Sequence, residues 1–354
     1  MVKIVLLACI TLLVSLLITP FIIKIVTKVN VTDKPDARKV HKAPIPTMGG
    51  LAIFLSFCVG VAILHPTSPF HWYLMAGAAA MILLGIFDDL YNLSAKTKMV
   101  VQILVASLVV FGGGLQLHFI NLPFGGKLEF GFLGSAITIL WIVGVTNAIN
   151  LIDGLDGLAA GVSSIALLTI AFMAMVMGNV YVFTIAVILL FSTLGFLKFN
   201  FHPARIFMGD TGALFLGYMI AVLSLLGFKN VTIISFVIPV LILGVPISDT
   251  LISMVRRYLN NQPMSKPDSA HLHHRLIGFG FTHKQTVLFI YLLSGMFSIA
   301  AILFSMATIW GSILIALIAL VTVLFLIENL ELINKNFKPL TNFVKVFRHN
   351  TKRI

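Results

Sequence analysis

The sequence predicts an all-α polytopic integral membrane protein, and three observations carry that prediction. Of its 354 residues 59% are hydrophobic and only 10% charged, against roughly half and a quarter in soluble domains. Mean hydropathy is +1.06. The apolar residues gather in runs near the ~20 that a helix needs to cross a bilayer. Such a chain is neither soluble, disordered nor fibrous. The two cysteines, Cys9 and Cys58, both lie inside apolar runs and suit neither a metal site nor a secreted disulfide framework.

In chain order the runs predict about eleven spans, at 3–26, 47–64, 70–87, 99–117, 131–149, 158–177, 180–197, 211–227, 231–249, 285–304 and 308–327. The first lacks a small-residue cleavage site and reads as a retained helix rather than a signal peptide. No internal repeat of the transporter kind and no low-complexity segment is visible. With the 27–46 loop placed inside, the inner face collects loops 27–46, 88–98, 150–157, 198–210 and 250–284 and a basic tail, 328–354. With Lys24 counted beside the first loop, that face holds 21 of the 24 Lys and Arg residues, leaving Lys3, Lys127 and Lys229 opposite. The positive-inside rule then predicts an outside N-terminus and a cytoplasmic C-terminus. The net charge of +12 is therefore a matter of sidedness and does not call for nucleic acid. Eleven of the twelve acidic residues share the inner face, Glu129 being the exception. The spans are almost free of charge at mid-depth, which argues against a channel or pump and for chemistry at one membrane surface. Residues 1–354 are expected to form a single transmembrane domain whose five inner loops build the site.

Four constellations stand out. Asp88-Asp89 closes the third span; two adjacent carboxylates losing hydration need a cation or a raised pKa, although a solvated helix end reads the same way. Oxygen-only ligands near Lys96 and Lys98 suit Mg2+ holding a phosphate. The densest signal is Asn147-x2-Asn150-x2-Asp153-Gly-x-Asp156-Gly. Four polar side chains recur every third residue at the end of an apolar run. The Asp-Gly pairs are turn chemistry and predict a helix break there. An Asx-turn cap explains one Asp and one Asn, not four residues in register. Next comes Phe207-Met-Gly-Asp210-Thr-Gly, where Asp210 or Thr211 either caps a helix or holds a metal-bound phosphate at its N-terminus. The fourth is His271-Leu-His273-His274-Arg275. It lacks Cys or acidic partners at zinc spacing and fits diphosphate contact and proton handling better. Asp249 reads as a helix-end polar residue. The 27–46 loop, with Lys42 ahead of Pro46-Thr47-Met-Gly-Gly, mixes membrane anchors with a strap for an anionic ligand.

Together these motifs, from about residue 33 to 276, resemble the polyprenyl-phosphate N-acetylhexosamine-1-phosphate transferases (glycosyltransferase 4 type), most closely their teichoic-acid initiating branch. The resemblance implies transfer of GlcNAc-1-phosphate from UDP-GlcNAc to undecaprenyl phosphate within the plasma membrane. It releases UMP and uses Mg2+, with Mn2+ as a substitute; the enzyme would work alone or as a homodimer. By the same resemblance Asp88 would activate the lipid phosphate, and Asp89 would support it or the metal. Asp210 would be the principal Mg2+ ligand, and Asn150 and Asp153 would line the diphosphate site beside Asn147. Asp156 and Phe207 would hold uracil. Lys98 would contact the lipid phosphate, Lys42 and Thr47 the nucleotide side, and His273 and His274, with His271 and Arg275, the donor diphosphate or sugar. The sequence His-Leu-His-His departs from the three consecutive histidines of the branch that uses the MurNAc-pentapeptide donor, so GlcNAc is the expected sugar and that translocase the alternative. A flippase of lipid-linked sugars is the competing class; it would demand polar groups at mid-bilayer.

Overall fold

The computed structural model describes residues 2–33, 44–117, 119–121, 127–227, 233–263, 270–334 and 337–342. Helices dominate: α1 (Val2–Lys28), α2 (Gly50–Leu64), α3 (His71–Tyr91), α4 (Ala95–Ser107, continued by a π turn over Leu108–Gly112), α5 (Phe132–Ile152), α6 (Leu158–Val176), α7 (Val180–Asn200), α8 (Gly209–Gly227), α9 (Ile233–Ile242), α10 (Gly244–Leu259), α11 (Leu272–Gly278), α12 (His283–Met306) and α13 (Ile309–Asn329). The described strands are two small antiparallel hairpins, β1 (Thr32–Asp33) with β2 (Ile45–Pro46) and β3 (Phe119–Asn121) with β4 (Lys127–Glu129).

Among the described residues nine helices are long and apolar enough to span a membrane, α4 being counted with its π turn, and α2 is a shorter apolar helix. Their outward faces carry Leu13, Leu17, Leu104, Leu140 and Leu314, all exposed. Such a surface is stable in lipid, where each helix satisfies its own backbone. The protein is a multi-pass membrane protein.

Helix α8 lies at the centre. Every side chain from Thr211 to Ser224 is buried, with α3 and α5 along it and α2 and α6 beside it. Helices α1 and α6 pack on α7, α12 packs on α6 and α9, and α13 rests on α12. Small residues set the closest crossing. At Gly85 a β-carbon would collide with the Thr211 backbone, so glycine lets α3 touch the start of α8. Asp88 and Asp89 follow one turn later, delivered to the N-terminus of α8.

Two expectations need correction. The single span expected at 231–249 is broken into α9 and α10 at Leu243. Pro246 has no N–H to offer the Ile242 carbonyl, so a continuous helix would lose that bond. The inner loop expected at 250–284 is mostly helical, because α10 runs on to Leu259 and α11 occupies Leu272–Gly278. The helix break expected at the Asp-Gly pairs is present: α5 ends at Ile152, Asp153 is its C-cap, and Gly157 turns left-handed at φ 77°. Asn147 and Asn150 are therefore helical, whereas Asp153 and Asp156 belong to the turn. The Asp-Gly chemistry foretold that break.

Candidate active site

Two chain-distant motifs first meet through their backbones. Phe207 N–H donates to the Pro46 carbonyl at 2.8 Å, Gly49 N–H to the Phe207 carbonyl at 2.9 Å, and Gly50 N–H to the Met208 carbonyl at 3.0 Å. This short zipper holds Thr47 and Phe207 side by side at the mouth of α8.

Asp89 fastens the same corner. Its Oδ1 accepts from the Asp210 amide at 3.0 Å, and its Oδ2 accepts from the Thr211 amide at 3.2 Å and the Thr211 hydroxyl at 2.6 Å. A carboxylate is favourable at a helix N-terminus, where amides lack partners and the macrodipole is positive. Both Asp89 oxygens are thus engaged in fixing the backbone that carries Asp210.

Asp210 and Asp88 share a cation. The Lys98 ammonium lies 2.6 Å from Asp88 Oδ2 and 2.9 Å from Asp210 Oδ2. Asp210 Oδ1 accepts from the Asn150 amide at 2.7 Å, and Asp88 Oδ1 from Leu93 N–H at 2.8 Å. Lys98 is brought there by the first turn of α4, which Ser94 caps through Thr97 N–H. Asn147, one turn deeper, pairs with Gln102, its amide donating to Gln102 Oε1 at 2.5 Å.

These groups line one cavity of about 590 Å³, whose described wall includes Thr47, Asp88, Asp89, Lys98, Asp153, Asp156, Phe207, Asp210 and His274. Of the expected site residues, those nine line it and Asn150 braces one of them. His271, His273 and Arg275 lie outside the lining, and Lys42 lies outside the described residues. Among the described residues five carboxylates face one ammonium there. The crowding is felt most at Asp153: burial, then the charges of Asp210, Asp89 and Asp156, push its carboxyl up to about 8.

The histidine motif sits above the Asp153 turn. His273 is only 2% exposed, and neither ring nitrogen has a hydrogen-bond partner. Its ring covers Gly154, where a β-carbon would lie 2.8 Å from Cε1 and closer still to Nε2. Burial, and then the neighbouring His274, lower its pKa to about 3, so it is a neutral imidazole. His274 packs beside it, ring centroids 4.2 Å apart, and reaches the cavity.

Asp156 is held on several sides. Its Oδ2 accepts from Ala204 N–H at 3.0 Å and from His202 Nδ1 at 2.8 Å, while its own amide donates to His283 Nε2 at 3.0 Å. Tyr291 donates its hydroxyl to the Gly157 carbonyl next door. Asp156, His202 and His283 are close enough to suggest a metal triad. The two rings, however, are stacked at 4.3 Å and 23°, so their nitrogen lone pairs run in nearly parallel planes and do not converge on one ion.

Three lining or bracing residues escaped the sequence reading. Asn200 lines the cavity, with its Oδ1 buried and unpartnered; its place two residues before His202 and seven before Phe207 was the available signal. His283 lines the cavity from the start of α12, and no local pattern announced it. Asp249 pairs with His271 across 22 residues of chain.

The chain has relatives among known proteins. The profile of glycosyl transferase family 4 matches residues 71–228. A Bacillus subtilis protein, "Probable undecaprenyl-phosphate N-acetylglucosaminyl 1-phosphate transferase", is 50% identical over 98% of this chain and 97% of its own length. A Mycobacterium tuberculosis "Decaprenyl-phosphate N-acetylglucosaminephosphotransferase" is 35% identical over 75% of this chain and 74% of its own. The Escherichia coli K12 "Undecaprenyl-phosphate alpha-N-acetylglucosaminyl 1-phosphate transferase" is 26% identical over 79% and 78%. With four motif groups reaching one cavity and a relative 50% identical along 98% of the chain, the protein belongs to glycosyl transferase family 4, the polyprenyl-phosphate N-acetylhexosamine-1-phosphate transferases.

Proposed function

We propose that this protein transfers GlcNAc-1-phosphate from UDP-GlcNAc to undecaprenyl phosphate, giving undecaprenyl-diphosphate-GlcNAc and UMP, as the first membrane step of a cell-wall polymer such as teichoic acid. One observation carries the reading: Asp88, Lys98, Asp153 and Asp210, far apart in sequence, face one cavity at the helix ends. The names of the relatives, which specify a polyprenyl phosphate and an N-acetylglucosaminyl phosphate group, support it.

The cavity's charge supports a Mg2+ requirement. Among its described lining residues five aspartates stand against one lysine, and an all-oxygen donor set suits a hard divalent cation. Asp210, with Asp88 and Asp153, would hold it, while Asp89 keeps Asp210 in place. When bound, the ion would supply charge neutralisation for the diphosphate, and the same oxygen donors would accept Mn2+. The chain's own groups do the rest. Lys98 meets the lipid phosphate as it arrives at headgroup depth, and Asp88 takes its remaining proton. A lipid phosphate oxygen then bonds to the donor β-phosphorus while the bond from that phosphorus to the bridging oxygen breaks, and the electron pair leaves with UMP. Phe207 and Asp156 flank the nucleoside, and His274 the sugar-phosphate.

The chain crosses the membrane eleven times in this reading, the nine long helices being joined by α2 and by the broken pair α9 and α10. The 21 Lys and Arg residues that this topology gathers at one face support a cytoplasmic site and C-terminus and an outside N-terminus. The test is UMP release by the purified protein from UDP-GlcNAc, with and without undecaprenyl phosphate and with and without EDTA. Release that needs neither acceptor nor metal ends the proposal. So does labelling that places the Asp88, Asp153 and Asp210 segments on opposite sides of the bilayer.

A further inference from the structure

Helix α10 carries a buried carboxylate whose partners belong to another element. Asp249 Oδ1 accepts from Leu272 N–H at 2.8 Å, and Asp249 Oδ2 accepts from His271 Nδ1 at 2.9 Å. Both side chains are buried, each about 5% exposed. His271 is the N-cap residue of α11, with an extended backbone at ψ 160°, yet its own side chain makes no capping bond. The cap comes instead from Asp249.

The arrangement matters because α11 has only seven residues. So short a helix has no stability of its own, and its position is set by whatever holds its ends. At its far end the chain turns back through Phe281 N–H to the Leu276 carbonyl and Gly280 N–H to the Ile277 carbonyl. At its near end the holder is Asp249. Between those anchors α11 presents His273 to Gly154 and His274 to the cavity. The face of α10 follows the same logic. Leu251, Met254 and Val255 are exposed, whereas Asp249, Ser253 and Arg256 are buried. A helix that turned its polar edge inward without a task would leave costly desolvated groups.

We propose that Asp249 is a positioning residue for sugar-phosphate transfer. Through the His271 imidazole and the Leu272 amide it sets α11 so that His274 meets the donor and His273 closes over the Asp153 turn. His271 belongs to this lock and is not a substrate contact. The inference rests on the transferase reading above.

The experiment compares wild type, Asp249→Asn, His271→Asn and the double variant as purified full-length protein. Three measurements are made on each: kcat/KM for UDP-GlcNAc in acceptor-dependent UMP release, the calorimetric stoichiometry and affinity for UMP, and the thermal midpoint. A misplacement of α11 near 1 Å costs up to about 100-fold in rate, and a loss of about 10- to 100-fold is expected for each single variant with UMP stoichiometry undiminished. Because the two residues act as one unit, the double variant loses no more than the worse single. Wild-type kcat/KM in Asp249→Asn overturns the proposal. So does UMP stoichiometry falling in step with activity, which would mark a merely structural role, or a multiplicative loss in the double variant. If Asp249→Asn does not fold, His271→Asn decides by the same readings. A wild-type protein that releases no UMP sinks the function itself; an active wild type beside unaffected variants sinks only the positioning role.

Discussion

Replacing Gly154 with alanine puts one methyl group under the His273 ring. The new carbon would lie 2.8 Å from Cε1, with Nε2 closer still, where ordinary contact begins at 3.4 Å. The ring, its helix or the Asp153 turn must therefore yield by at least 0.6 Å. His273 is 2% exposed and has no room to swing aside, so the displacement falls on the geometry of the cavity. A misplacement near 1 Å costs on the order of 100-fold in rate, and a retreat of this size is expected to lower turnover by about 10- to 100-fold. By the same scale that is about 1.4–2.7 kcal/mol of transition-state stabilisation. Acceptor-dependent UMP release, measured beside the thermal midpoint, reads it. Gly144→Ala is the control, since a β-carbon there meets nothing within 4 Å, and it should be neutral or stabilising by up to about 1 kcal/mol. Wild-type turnover in Gly154→Ala at an unchanged midpoint would refute the claim that His273 and the Asp153 turn must keep their spacing.

Asp88→Asn, Asp153→Asn and Asp210→Asn should each abolish UMP release without unfolding the protein, and full activity in any two of them would defeat the assignment. EDTA should stop turnover and either Mg2+ or Mn2+ restore it, read in the same assay. Labelled UMP should not exchange into UDP-GlcNAc without lipid acceptor; exchange would favour an aspartyl-phosphate route over direct displacement. The Asp153 carboxyl, raised to about 8 in the folded metal-free protein, holds its proton where the unfolded chain has lost it. Its contribution to stability therefore declines as pH climbs from about 4 to about 8 and is level outside that window. Thermal midpoints of EDTA-treated protein should fall more steeply with pH in wild type than in Asp153→Asn.

Local chemistry made much of the site legible. Asp153-Gly and Asp156-Gly announced the end of α5, because turn-forming side chains compete with helical bonding wherever they sit. Asp88, Asp153 and Asp210 were recognisable because carboxylates at the edge of hydrocarbon need a reason to be there. Pro246 was equally visible, but the average hydropathy of 231–249 is blind to a missing backbone donor, so one span was expected where two helices stand. Asp249 looked like a helix-end residue for a related reason: its partners, His271 and Leu272, follow 22 and 23 residues later, beyond any local pattern.

Membrane class is written in composition and order, since the partition of side chains between water and lipid needs no knowledge of neighbours. The division of labour among the aspartates is not written there. Asp89 on the α8 amides, Asp88 and Asp210 around one ammonium, and Asp249 on α11 are alike as residues. They differ only in which backbone the packing of α3, α8 and α10 brings within hydrogen-bond reach, and that distance is a property of the folded chain.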